Sequence, residues 1–273
     1  MSDTPTLTDR PALARYRDRA RRGPALFLHE EALADVQDRL ALVNKSFSAP
    51  AVVTPFPDLW RNAFPTACLV DDTEVLDLSE TTHDLVIHAM ALHWANDPVG
   101  QLIQCRRALK PDGLLLVVAL GGQTLHELRA ALGQAEIEIT GGLSPRVAPM
   151  GEIRDLGALL QRAGLALPVA DSAVLRTSYA SPVHLMHDLR AMGETNAMSA
   201  RVRTATRKSV MLRAMELYSE AYSDENGRVT ATFELITLTG WAPDSSQPQP
   251  LRPGPAAHRL ADALNTVETP LKD

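Results

Sequence analysis

The sequence has only two cysteines, Cys68 and Cys105, and they form no CxxC or other metal-ligand spacing. That excludes a disulfide scaffold and a cysteine-built zinc site, and points to a reducing, intracellular compartment. Positive charge is not in excess: 27 lysines and arginines stand against 33 aspartates and glutamates, a net charge of −6 that argues against nucleic acid as the partner. No apolar run has the length to cross a membrane, for the longest aliphatic stretch, Leu114 to Leu120, falls far short of the roughly 20 residues a spanning helix needs. A signal-peptide apolar core is missing as well, and Asp3, Asp9 and Asp18 break the acid-poor pattern of a transit peptide. The expectation is a cytoplasmic or peripheral protein.

What is present is the composition of a globular fold, 45% hydrophobic and 22% charged over 273 residues. A chain of this size buries roughly 75% of its unfolded surface. Residues 10 to 22 carry Arg10, Arg15, Arg17, Arg19, Arg21 and Arg22 around Leu13 and Tyr16. This reads as a basic helical arm with too few apolar positions to bury itself, either a solvated face or a contact for an acidic partner or membrane surface. Leu33, Val36, Leu40 and Val43 recur at helical spacing.

Short apolar runs at 51–53, 67–70 and 74–78, bounded by prolines and acids, read as strands, and 84–94 begins as a fourth. Asp97-Pro98 opens a helix, Lys110-Pro-Asp-Gly113 turns the chain, and Leu114 to Leu120 is the next buried strand. Strand, helix, turn and strand in that order make a βαβ unit, and the repeated alternation predicts a doubly wound α/β domain. Thr124-Leu-His-Glu127 has capping-box spacing, Glu152 to Ala163 is an amphipathic helix closed by Gly164, and further helices are expected from Ser181-Pro182 and over 204–222. Residues 230 to 241 alternate as a sheet-edge strand does, and Pro248, Pro250, Pro253 and Pro255 mark a flexible tail.

Residues His83-Asp-Leu-Val-Ile, Leu92-His-Trp-Ala-Asn-Asp-Pro98 and Leu109-Lys-Pro-Asp-Gly-Leu114 resemble the fourth strand, following helix and fifth strand of class I S-adenosylmethionine-dependent methyltransferases, a Rossmann-like fold. More specific stretches are Gly121-Gly-Gln-Thr-Leu-His-Glu-Leu-Arg129, Gly141-Gly-Leu-Ser-Pro145, Asp155 to Gly164, Asp188-Leu-Arg-Ala-Met-Gly-Glu-Thr-Asn196, Ala231-Thr-Phe and Gly240-Trp241. Together, over most of 75–241, they are similar to the methyltransferase-like assembly factors of respiratory complex I and to enzymes that methylate malonyl thioesters in biotin synthesis. The resemblance implies S-adenosylmethionine as cofactor and either a complex I subunit, reported to be hydroxylated on an arginine, or a small acceptor as partner. It places the protein in the cytoplasm of a bacterium or on the matrix side of a mitochondrion. The expected organisation is an N-terminal helical arm over 1–45, a methyltransferase-like domain over 46–241 with a helical cover at 181–228, and a Pro-rich tail over 242–273.

One departure stands out. The family follows its first strand with a Gly-x-Gly loop, because only glycine bends with positive φ and lets the backbone approach the cofactor. This chain has no glycine between Gly23 and Gly100, and the loop position reads Thr54-Pro55-Phe56-Pro57. Proline fixes φ near about −65° and removes an amide donor, so the segment cannot reproduce that turn, and Phe56 is placed to fill the space of the methionine arm. Cofactor binding is expected to be weak or absent.

Candidate cofactor residues are Asp71 or Asp72, ending the second strand where a carboxylate would hold ribose hydroxyls; Asp77, beside an adenine; and His88 and Ala89, at the mouth of the crevice. His93, Trp94 and Arg129 are the catalytic candidates. Gly121, Gly122, Gly141, Gly142, Ser144, Met192, Glu194 and Asn196 are candidates for gripping a protein or small substrate. Each competes with a structural role as turn, cap or core residue. His184, His187 and Asp188 share a helical face, yet the family segment supplies no such histidines, so no metal is assigned. Three readings follow: a methyltransferase-like assembly factor, a non-catalytic binding module that keeps the fold, and an arginine hydroxylase.

Overall fold

The computed structural model describes residues 6–248. Six strands form one sheet in the order β2-β1-β3-β4-β6-β5. The parallel half is β1 (Pro50–Val53), β2 (Cys68–Val70), β3 (His83–Ala89) and β4 (Leu109–Leu120). The other half, β5 (Ala166–Tyr179) and β6 (Val229–Trp241), is antiparallel, with β6 inserted between β4 and β5. All of β1 and nearly all of β3 are buried, as strands covered on both faces must be.

Helices α4 (Pro98–Ala108) and α6 (Ile153–Arg162) pack on one face through Leu102, Cys105, Ala108 and Leu160. Against the other lie α2 (Phe27–Leu42), α3 (Pro57–Ala63), α5 (His126–Thr140), α7 (Pro182–Ala191) and α8 (Lys208–Tyr222), joined in the larger core by Val36, Trp60, Leu128, Leu185 and Tyr218. The doubly wound α/β expectation holds. The helical cover, α7 and α8, is inserted between β5 and β6.

Helix α1 (Arg10–Ala20) belongs to neither face. Asp9 caps it, accepting from the Ala12 amide at 3.0 Å, and Leu13 and Tyr16 pack with Trp94, Ala148 and Ala197 in a third apolar cluster. The Asp9 amide also donates to the Ala197 carbonyl at 2.8 Å, which ties the arm to the cover.

Four sequence expectations need correction. Residues 74–78 form no strand: Gln104 on α4 accepts from the Leu76 amide at 2.7 Å and Gln101 donates to the Thr73 carbonyl at 2.6 Å, so side chains satisfy that backbone in place of a ladder. Thr124 and Glu127 make no capping box. Leu125 precedes α5 in the left-handed region at φ 55°, Thr124 Oγ1 accepts from the Glu234 amide at 3.1 Å, and the Glu127 carboxylate accepts from the Thr232 amide at 3.2 Å. Both residues staple α5 to β6. Strand β6 is interior, and the edge is β5, which the sequence reading did not find. Lys110 to Gly113 do not end an element; they bulge within β4, where the partner of β3 skips from Leu109 to Leu114.

Residues 242–248 return to β4: Gln247 donates to Asp112 and to the Ala242 carbonyl, both at 2.9 Å. The prolines expected to make the rest of the tail flexible, Pro250, Pro253 and Pro255, lie outside the described residues.

Candidate functional site

The carboxyl ends of β1, β2 and β3 present Thr54-Pro-Phe-Pro57, Asp71 and Asp72, and His88 and Ala89 to one crevice. The arm lies in it. Arg17 is 5% exposed, and its Nη1 donates to both Asp72 oxygens at 2.6 and 2.7 Å. Arg10 adds a bond at 3.2 Å to Asp72 Oδ2 and another to the Asp72 carbonyl. Burial pushes the Asp72 carboxyl up, but the charge and hydrogen bonds of Arg17, with Arg10, hold it below the usual range. The Nε and Nη2 of Arg17 have no partner among the described protein atoms. The expectation of a solvated basic arm is therefore wrong at Arg17. Leu13, Arg17 and Ala20 are buried at i, i+4 and i+7, and the arginine shares the apolar face because a carboxylate waits beneath it.

Phe56 is buried at 6% exposure, and its ring meets the His29 ring edge-on at 5.0 Å between centroids. Burial drives the His29 imidazole down to about 3, leaving it neutral. Outside, Arg21 donates to the Pro55 carbonyl at 3.1 Å. His88 is fully buried, with Nε2 3.1 Å from Gln101 Oε1, so that nitrogen carries the proton; burial lowers its pKa. Ala89 is buried beside it, in the core. Asp71 points outward, 4.0 Å from Arg21, and Asp77 is exposed on the irregular segment and takes no part in the crevice.

A second knot joins sheet and cover. Trp94 donates to Glu194 Oε2 at 2.7 Å, and His93 Nε2 faces the same oxygen at 3.2 Å. The Leu120 amide points at His93 Nδ1 at 3.4 Å, which requires a lone pair there and places the proton on Nε2. Against the upward push of burial, His93 and Arg17 hold the Glu194 carboxyl low. Both ring nitrogens of His93 are committed, and its side chain is 2% exposed, so it ties the cover to the sheet edge. Gly193, at φ 78°, makes the arm's close approach: an added Cβ there would lie 3.1 Å from Arg17 Cγ.

Beyond this knot the cover encloses a cavity of about 610 Å³ between α1, α5, α7 and α8. Trp94, Glu194 and Asn196 reach its wall. Asn196 also donates to the Pro145 and Arg146 carbonyls at 2.9 and 3.0 Å. Met192 lies in the core at 3% exposure. Arg129 braces the Thr124 and Ala148 carbonyls at 3.2 and 3.4 Å. Gly121 packs on β6, where a Cβ would come within 2.6 Å of Glu234 Oε2, and Gly122 abuts Glu152. Gly141, Gly142 and Ser144 sit past the far end of α5, where Ser144 Oγ donates to Glu136 at 2.7 Å. Among the described residues no three His, Cys, Asp or Glu side chains are grouped to hold a metal, and His184 bonds to Ser181 at 2.8 Å. No described helix is long and apolar enough to cross a membrane.

The methyltransferase domain family matches residues 29–117, the stretch that builds β1 to β3 and most of β4. Over those residues the chain is similar to the methyltransferase domain, and its sheet has the fold of the class I methyltransferases. Residues 74–78, inside that stretch, add no strand to the sheet. The chain is 38% identical over 198 residues to "Arginine-hydroxylase NDUFAF5, mitochondrial" of Danio rerio, covering 72% of this chain and 61% of that one. It is 31% identical over 174 residues to "Malonyl-[acyl-carrier protein] O-methyltransferase" of Halorhodospira halophila, covering 64% of this chain and 57% of the relative. It thus spans about 60% of the length of the curated relatives it matches. Among solved structures, the YcgJ protein of Bacillus subtilis superposes with a TM-score of 0.50 at 12% identity, over 80% of this chain and 100% of that one, a likeness of fold.

The sequence reading named Arg15 and Arg17 only as part of the basic arm, and it singled out neither His29 nor the other cavity-lining arginines. The signal for Arg17 was its helical spacing from Leu13 and Ala20; for His29 the sequence offered none.

Proposed function

We propose that the chain is a methyltransferase-fold assembly protein of the respiratory complex I type that holds a client and does not take up S-adenosylmethionine in the ordinary way. One observation carries this reading: the carboxylate ending β2, which would receive the donor's ribose hydroxyls, is buried and bonded through both oxygens to Arg17 of the chain's own arm. Pro55 and Pro57 replace the flexible loop, and Phe56 is packed inward against His29. As folded, these residues do not fit the donor. The likeness to the Danio rerio protein supports the client side of the reading. The compartment follows the client, cytoplasm in a bacterium or matrix in a mitochondrion.

A ligand at 100 times its dissociation constant raises stability by about 2.7 kcal/mol. Thermal unfolding with S-adenosylmethionine titrated to millimolar concentration is expected to show no shift; a clear shift at micromolar donor would overturn the closed cleft. Co-purification with a complex I subunit tests the client, and failure to capture any such subunit removes that half. A second reading, hydroxylation of a client arginine, is favoured by the relative's printed name. Mass spectrometry for one added oxygen on arginine in cells with and without the protein decides it.

A further inference from the structure

The cavity under the cover combines an apolar floor with a cationic rim. Leu120, Leu128 and Phe233 form the floor, each no more than 5% exposed, and Met150, Met186 and Met211 line the walls. Methionine adapts its shape to a flexible guest. At about 610 Å³ the space lies within the roughly 300–1,000 Å³ of small-molecule sites. Five arginines and two carboxylates line it, a local surplus of positive charge in a protein whose net charge is −6.

The two carboxylates are already used. Asp9 caps α1 and bonds to Arg201 at 2.8 Å, and Glu194 is held by Trp94 and His93. Two of the arginines are used as well: Arg201 by Asp9, and Arg146 by Glu136 at 2.6 Å behind the wall. That leaves Arg15 and Arg190, exposed and with no carboxylate within 4.0 Å among the described residues. Arg203 is 71% exposed, and among the described residues its carboxylate neighbour is the already engaged Asp9, at 3.5 Å.

We propose that this cavity binds a single-chain anionic amphiphile, its apolar body on the leucine and methionine surface and its carboxylate or phosphate head on Arg15, Arg190 and Arg203. Among the described residues the lining charges left without a carboxylate, Arg15 and Arg190, are positive, so a cationic guest meets repulsion there, whereas an anion gains charge-assisted bonds at these two without breaking one and competes only with the 3.5 Å contact of Arg203 to Asp9. The proposal goes beyond the closed cleft and does not depend on it: the cavity exists whether or not the methyl donor binds.

The test is calorimetric titration of the full chain with dodecanoate, dodecyl phosphate and dodecyltrimethylammonium, each as monomer, beside sedimentation with phosphatidylglycerol vesicles. Both anions are expected to bind saturably with one site per chain, at least about tenfold tighter than the cation, and more weakly at high salt. Arg15→Glu with Arg190→Glu should weaken the anions by about tenfold. Both side chains are exposed, so the fold should survive. Met211→Trp, which sets a bulkier ring into the cavity wall, should weaken both anions. Equal affinity for the cationic chain, no binding of any chain, insensitivity to the double charge reversal, or sedimentation with vesicles without binding of monomeric chains would each overturn the proposal.

Discussion

The two ends of the same crevice have opposite fates. Around Asp72 the space at the strand ends is filled by the chain itself, with Arg17 on the carboxylate and Phe56 against His29, while a few residues away, past Glu194, a cavity of about 610 Å³ stays open. The difference traces to backbone and not to overall hydrophobicity. The filled end carries two prolines and no glycine, so its loop cannot curve away to make room. The open end is bounded by α7 and α8, inserted between β5 and β6, with α5 and the arm helix α1, and none of these elements contains that loop. The two ends of the crevice are thus shaped by different elements of the fold.

If the filled end is structural, breaking it should cost the most. Arg17→Met leaves Asp72 buried without its main partner, and we expect a loss of about 3–5 kcal/mol in urea denaturation. Arg17→Met with Asp72→Leu should recover much of that, since replacing a buried ion pair by apolar groups is often neutral. A loss below about 1 kcal/mol for the single change would mean that the arm only rests on the crevice.

Acid should act next. His29 is neutral when folded, down to about 3, but protonates near 6.5 when unfolded, so the unfolded chain binds the extra proton and stability falls as pH drops from 6.5 towards 3. At about 1.4 kcal/mol per pH unit, the loss from His29 alone between pH 6.5 and about pH 5 is about 2 kcal/mol, and His29→Leu should flatten that part of the profile. An unchanged slope would place His29 in contact with water.

Gly193→Ala sets a Cβ 3.1 Å from Arg17 Cγ at a φ of 78°, and about 1–2 kcal/mol should be lost by the same assay. The smallest effect belongs to the open end. Arg15→Glu should shift stability by no more than about 0.5 kcal/mol, because nothing in the fold uses that charge. A larger loss would make the rim part of the architecture.

Much of the parallel half could be read in the sequence. The run at 84–89 is nearly continuously apolar between Asp84 and His88 because both faces are covered, and Asp97-Pro98 caps α4 through a bond from the Gly100 amide at 2.8 Å, a signal that lies within four residues. Strand β5 was not legible. It is an edge, mostly exposed, and what holds it is its twelve-position register with β6 some fifty residues later, which no local pattern records. Thr124 and Glu127 misled for the same reason: their spacing fits a cap, but long-range partners on β6 take both side chains. At the site, His93, Trp94 and Glu194 were found through resemblance, and the structure brings them within hydrogen-bond distance. Arg17 was hidden among five other arginines of the arm, since charge alone does not say which one turns inward.

Hydrogen exchange along residues 10–20 tests the closed cleft most directly. The account predicts that the amides of α1 are protected to within about tenfold of those in β3, and that saturating S-adenosylmethionine leaves them unchanged. Exchange at the rate of an open loop, or protection that disappears when the donor is added, would contradict it.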